Sequence, residues 1–271
     1  MTQAPSSADH GYSFQGKFVL TGELECVTGL RIGGSTEGFE IGGLDNPVIR
    51  DPVSEEPYIP GSSLKGKLRH LLEWKLGKIE RHPKHGIYTA HSCGDCPACW
   101  IFGVASDEED VRKRSGPSRL TVRDARLTAA CREKLAEPTG RLFTEIKSEN
   151  ALDRITSSAM PRPMERVPPG ACFGIEMIFD VYRDDDRRLL HDLLTAMRLL
   201  EDSALGSSGS RGYGKVRFKN LRLVWRPLAY YSQYPPPAGA EEVWAEEVAS
   251  TDKLQQKIGE RVEQRAGQAA G

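Results

Sequence analysis

Residues 14–27, FQGKFVLTGELECV, alternate apolar and polar side chains, the period of a strand with one buried face. The same alternation returns in 119–128 (RLTVRDARLT), 171–182 (ACFGIEMIFDVY) and 215–225 (KVRFKNLRLVW). Two stretches keep a helical period instead. After Pro60-Gly61-Ser62-Ser63, leucines fall at 64, 68, 71, 72 and 76, with Ser62 or Ser63 as the candidate N-cap. Residues 187–202, RRLLHDLLTAMRLLED, form a second, strongly amphipathic helix.

The resulting order is β-α-β-β-α-β, the α+β, ferredoxin-like order shared by RNA-recognition (RRM-like) domains. Large insertions interrupt it at 78–118 and 129–170, the latter holding the proline-rich MPRPMERVPPG. One domain is expected over 14–227. Residues 228–271 are expected to be a polar C-terminal extension, proline-rich at first and mildly helical from about Glu241. Two segments are too glycine-rich for regular structure. The first, GLRIGGSTEGFEIGGLDNPV, has six glycines between 29 and 43; the second, GSSGSRGYGKV, spans 206–216. Long loops in a compact domain usually carry function.

Composition narrows the class. Of 271 residues, 38% are hydrophobic, and no apolar run approaches the roughly 18 residues of a membrane span. The polar start, Met1 to His10, has no signal-peptide pattern, so a cytoplasmic protein with no membrane partner is expected. The net charge of −1 announces no nucleic acid, but residues 61–85 gather Lys65, Lys67, Arg69, Lys75, Lys78, Arg81 and Lys84 against Glu73 and Glu80. A solvated helix face is the plainer explanation of such a run.

Three features can carry chemistry. In 206–216 the glycines let backbone approach a ligand, Ser210 and Arg211 can meet phosphate, and Tyr213 can stack on a base; a flexible linker is the bland alternative. At 59–69 a helix N-terminus carries Ser62, Ser63, Lys65, Lys67 and Arg69, a combination suited to phosphate or to simple capping. In HSCGDCPACWIFG, Cys93-x2-Cys96-x2-Cys99 supplies three soft ligands at chelating spacing. A structural zinc needs a fourth ligand, His91 or the freer His85. Free thiols and an iron–sulfur cluster are the competing readings. Cys26, Cys131 and Cys172 read as buried thiols.

TGLRIGG at 28–34, LDNPVIRDP at 44–52, YIPGSSLKGKLRHLL at 58–72, ENALDRITSSAMPRPMER at 149–166 and LGSSGSRGYGKVRFKNL at 205–221 together resemble the RAMP superfamily of CRISPR proteins. They look most like Csm-type backbone subunits of type III effector complexes. The resemblance covers about residues 17–224; the cysteine insertion and the tail lie outside it. It implies a ferredoxin-like palm with a β-hairpin thumb, here within 145–170, and copies of the subunit stacked on a guide RNA beside other effector subunits. It also implies cleavage of complementary target RNA at about six-nucleotide intervals, where the thumb flips a base.

The thumb would use the segment from Arg154 to Arg166, with Arg162 on it and Met160 and Met164 as apolar wedges. The family's catalytic aspartate matches Asp45 of Leu44-Asp45-Asn46-Pro47, acting with a divalent ion such as Mg or Mn. Read alone, Asp45 is better explained as an Asx-turn residue. Asp51 reads as a turn residue. Arg31 falls where the family places a side chain near RNA, and Glu145 and Lys147 stand where they can orient the scissile phosphate. A non-catalytic RNA scaffold needs no carboxylate at 45. A guide-processing ribonuclease would rely on histidine, tyrosine or lysine, and no histidine lies in the glycine-rich loops.

Overall fold

The structure is a computed structural model and describes residues 11–34, 47–81, 86–140 and 142–269. Asp45 and His85 lie outside these residues. Strand β1 (Gly16–Cys26) is the axis of the fold. It is followed by the short β2 (Tyr58–Ile59) and by α1 (Gly61–Lys75). The first insertion contributes α2 (Pro97–Phe102) and α3 (Glu109–Ser115). Next come β3 (Leu120–Val122), β4 (Ala125–Leu127) and α4 (Ala129–Ala136). The hairpin strands β5 (Glu145–Leu152) and β6 (Ala159–Arg166) precede β7 (Cys172–Val181), α5 (Leu189–Glu201) and β8 (Val216–Pro227). The chain ends in α6 (Leu228–Tyr231), β9 (Glu242–Val248) and α7 (Thr251–Ala269).

The main sheet runs β2-β4-β7-β1-β8-β9, with β3 also on β7, and its pairings are antiparallel. Its inner four positions, β3/β4, β7, β1 and β8, have the ferredoxin-like arrangement, in which the first and third strands of the β-α-β-β-α-β order lie at the centre. The alternation in the sequence is the cause. Phe18, Leu20 and Leu24 of β1, Phe173 to Phe179 at every second position of β7, and Phe218 of β8 point to one face and are buried. The leucines 64, 68 and 72 of α1 and Leu190, Leu193, Leu194 and Met197 of α5 complete that core, and the two helices pack on each other. Leu68 is fully buried, so Leu68→Ala should cost about 2–5 kcal/mol.

The structure departs from the sequence reading in three places. The second strand is broken at Arg123-Asp124, and the break lets Asp124 Oδ1 accept the Gly61 amide at 2.7 Å. The N-cap of α1 is therefore Pro60, and a carboxylate from another strand does what Ser62 or Ser63 was expected to do. The tail after Pro227 holds a strand between the short α6 and the long α7. β9 pairs with β8, Trp244 packs edge-on against Phe18 with ring centroids 4.6 Å apart, and Leu254 and Ile258 of α7 are buried. The glutamates of β9 hid its period, and an open edge of β8 supplied the partner that made it a strand. No helix among the described residues is long and apolar enough to cross a membrane.

Candidate RNA groove and metal centre

β5 and β6 form a two-stranded sheet of their own, in register from Glu145↔Arg166 to Leu152↔Ala159. Asp153 closes the turn by accepting the amides of Ile155 and Thr156. This hairpin occupies the expected thumb position, and it starts at Glu145, well before Arg154. Arg154, Met160 and Arg162 stand exposed on it. Met164 does not, because it is buried at the hairpin base and cannot act as a wedge.

The glycine-rich loop is rigidly built. Gly206 has φ +76°, and a Cβ there would lie 2.2 Å from the Arg31 carbonyl oxygen; Gly214 has φ +74° and faces the Leu205 carbonyl at 2.0 Å. The Ser207 amide donates to the Arg31 carbonyl at 2.8 Å, and Gly214 donates to Gly29 at 2.9 Å. Arg31 Nη1 in turn donates to Ser207 Oγ at 2.9 Å. The loop is thus clasped to residues 28–33, and the flexible-linker reading is corrected.

Between this loop and β6 lies a groove of about 520 Å³, lined among others by Arg31, Arg162, Arg211 and Ser207. Arg211 pairs with Glu149 at 2.8 Å yet remains 62% exposed, so it can reach an incoming phosphate. On the other side of the loop a second hollow of about 510 Å³ is lined by Thr28, Lys67, Ser210 and Lys215. Arg31, Lys67, Arg162, Ser210 and Arg211 from the sequence reading are therefore brought together around one loop.

Other expected contacts are committed elsewhere. Tyr213 is 1% exposed and sits between the cations of Arg166 and Lys147, each 4.9 Å from its ring centre, so it is not a platform for a base. Burial pushes its hydroxyl pKa up, and the neighbouring Glu149 carboxylate adds to this. Glu145 pairs with Arg166 at 2.7 Å, which holds the hairpin base together. Lys65 donates to the Leu120 carbonyl at 2.7 Å, and burial lowers its pKa. Arg69 binds Glu73, the Gly103 carbonyl and the His91 carbonyl. Lys65 thus ties α1 to β3, and Arg69 ties it into the first insertion. Ser62 and Ser63 remain at the surface of a helix end whose first amide is already taken.

The ends of the segment that carries Asp45 meet beside the groove. Gly34 donates to the Pro47 carbonyl at 3.2 Å, and Ile49 donates to Ile32 at 2.9 Å. The Val48 amide then donates to Glu165 Oε2 at 2.8 Å, and Glu165 Oε1 accepts Arg50 at 2.6 Å and Thr144 at 2.8 Å. Burial raises the Glu165 pKa, but these three donors outweigh it and hold the carboxyl below its usual range. Sequence reasoning missed this anchor, because nothing in MER or VIRDP announces that the two segments touch. Asp51 is the expected turn residue: its Oδ1 accepts the Val53 and Ser54 amides, which with Arg126 hold its pKa near 2.

In the first insertion, ligand atoms of His91, Cys93, Cys96 and Cys99 all lie within 4.8 Å of one another. Cys93 and Cys99 sulfurs are 3.9 Å apart, against about 3.8 Å for two thiolates on a tetrahedral zinc with Zn–S near 2.3 Å. His91 is buried and neither ring nitrogen has a hydrogen-bond partner, as a ligand awaiting a metal would be. Cys96 donates to Cys99, which lowers the Cys99 thiol pKa and raises its own. Asp95 N–H points at Cys93 Sγ at 3.3 Å, an orientation that supports a thiolate. The four donors fit a zinc-type ion, and His91, expected to be cramped, reaches the site because Arg69 and Glu73 of α1 hold its backbone.

Residues 23–217 match the model of the RAMP superfamily. This chain belongs to the RAMP superfamily, in its Csm3 family. It is 47% identical over 230 residues to the "CRISPR system Cms endoribonuclease Csm3" of Methanothermobacter thermautotrophicus, covering 80% of this chain and 90% of that one. Among solved structures it resembles the Csm3–Csm4 subcomplex of the type III-A CRISPR-Cas interference complex, with 31% identity, a TM-score of 0.60, and 92% and 97% of the two chains covered. The Methanopyrus kandleri Csm3 crystal structure matches at 26% identity and a TM-score of 0.60, over 94% and 98% of the chains. The palm, the hairpin and the loop described above are therefore those of a Csm-type RAMP fold.

Proposed function

We propose that this chain is a backbone subunit of a type III CRISPR effector complex that holds guide RNA and cuts complementary target RNA. The observation that carries the reading is the meeting of three elements: the arginine-lined groove, the hairpin beside it, and the two roots of the segment containing Asp45. Copies of the subunit, other effector subunits and the two RNA strands are its partners. The similarity to Csm3 within a Csm3–Csm4 subcomplex supports this assembly.

Arg31, Arg162, Arg211 and Ser210 bind the RNA backbone, where charge-assisted hydrogen bonds are strongest. Exposed Met160, beside Arg154 on the outer part of the hairpin, is the apolar group that separates a base step. The flipped nucleotide can then align its 2′-hydroxyl with the adjoining phosphorus. Asp45 takes the 2′-hydroxyl proton; the oxygen attacks phosphorus, the bond to the 5′-oxygen breaks and that oxygen takes a proton from water, and the product ends in a 2′,3′-cyclic phosphate. Its hard carboxylate oxygens also suit Mg or Mn, which would offset phosphate charge.

The test is Asp45→Ala in the assembled, guide-loaded complex. Guide and target binding should persist while cuts at about six-nucleotide intervals disappear. Undiminished cutting would remove Asp45 from the chemistry. A complex that never cuts, with or without Asp45, would mark the chain as a scaffold.

A further inference from the structure

The basic run at 61–85 is only partly used by the groove. Lys65 and Arg69 are structural, and what remains points along α1 to a cavity of about 660 Å³. Gly66, His70 and Trp74 form its α1 side, and Ile79, Tyr88 and Ala90 of the insertion form the other. That size lies within the range of ligand-binding pockets. Trp74 is 60% exposed and Tyr88 70%, with Ile87 at 59% beside them, so large aromatic surface faces water.

The pocket is also organised. Trp74 Nε1 donates to His70 Nε2 at 3.1 Å, and the two rings stand at 83°. This contact sets the orientation of the exposed indole. On the α1 side, the exposed Gly66 sits mid-helix, where glycine costs roughly 0.5–1 kcal/mol relative to alanine. A Cβ there would meet nothing within 4 Å, so no packing demand explains the glycine, and its effect is to leave the pocket open.

Charge and continuity name the occupant. Ser63, Lys67, His70 and Trp74 follow one another at helical spacing along one stripe of α1. Lys67 lines the hollow at the glycine-rich loop, and Trp74 lies about 10 Å further on at 1.5 Å per residue. Further along the helix Lys75 is paired with Asp192 at 3.1 Å and Arg81 donates to the Gly86 carbonyl, so the charge of this stripe rests on Lys67. Of the acids nearby, Glu73 pairs with Arg69, while Glu80 is 66% exposed to solvent. Aromatic faces beside a cationic path are how proteins hold unpaired nucleotides.

We propose that this cavity is a second RNA-contact site, which stacks the base of an unpaired nucleotide on Trp74 and Tyr88 after the strand leaves the glycine-rich loop. The inference rests on the reading that the chain binds RNA in its groove. The test uses the reconstituted guide-loaded complex with photoreactive uridines placed along guide and target, followed by peptide mapping. Crosslinks are expected both at 205–214 and at the peptides holding Trp74 and Tyr88. Trp74→Ala and Gly66→Leu should abolish the second set, keep the first, and weaken target binding roughly five- to a hundredfold. Trp74→Phe should restore most of it, and Gly66→Leu should melt no lower than the parent. Crosslinks confined to 205–214 would overturn the proposal and leave the groove reading standing. Crosslinks to neither segment would overturn both. Protection of Trp74 by another subunit in RNA-free assemblies would make this face a protein interface and also overturn it.

Discussion

Replacing Glu165 by alanine should uncouple the thumb hairpin from residues 48–50, which lead out of the Asp45 segment. The Glu165 side chain is 8% exposed and accepts three hydrogen bonds, from Val48, Arg50 and Thr144. Truncating one partner of a buried ion pair costs about 3–5 kcal/mol. Arg50 is 24% exposed and keeps the carbonyls of Glu55 and Leu142, which moves the loss to the low end. The Val48 amide, in a residue only 4% exposed, is left without its partner and adds about 1 kcal/mol. The sum is about 3–4 kcal/mol, or a melting point lower by roughly 6–16 °C for a chain of this size. Glu165→Gln keeps the volume and one acceptor oxygen and should lose about half as much.

The pH dependence has a definite sign. The folded carboxyl titrates below the unfolded value of about 4.3, so its stabilisation is complete above that pH and fades as pH falls through the lower, folded value. The gap between parent and Glu165→Gln should therefore be widest near neutrality and close in acid. Calorimetry gives the melting points, and amide exchange at Val48 and across 145–166 reports the hairpin directly. A Glu165→Ala protein that melts within about 1 °C of the parent, with unchanged exchange in both segments, would refute the anchor.

Cys96→Ser should lower bound zinc from roughly one per chain and loosen residues 86–118 while leaving 145–166 protected; elemental analysis with limited proteolysis reads both, and a metal-free parent with the same resistance would show plain thiols. Arg211→Ala should weaken guide RNA binding and reduce the salt slope by about one, because one fewer counterion is released. Lys65→Ala should instead lower the melting point with the salt slope unchanged, since its amine is spent on Leu120 and Ser118; an altered slope would put Lys65 back on the RNA.

The sequence alone determined what periodicity and spacing encode. Strong alternation in β1, β7 and β8 and the leucine stripes of α1 and α5 gave the ferredoxin-like order, since each segment's own pattern decides which face it buries. Cys-x2-Cys-x2-Cys marked a candidate metal centre because chelate spacing is local, whereas only the tertiary structure brought His91 to it through Arg69 and Glu73. The glycines of 206–214 were legible as a candidate functional loop, but not as a tightly packed one: the carbonyls that require them belong to Arg31 and Leu205. Long-range partners decided the rest. Asp124 displaced the serines as the cap of α1, Tyr213 was buried by the hairpin's cations, and Glu165 found Val48 across 117 positions. β9 became a strand only because β8 offered an open edge. Hydrogen bonds and ion pairs between distant segments leave no period in a sequence, so folding alone determines which polar side chains stay free for a ligand and which are consumed in holding the protein together.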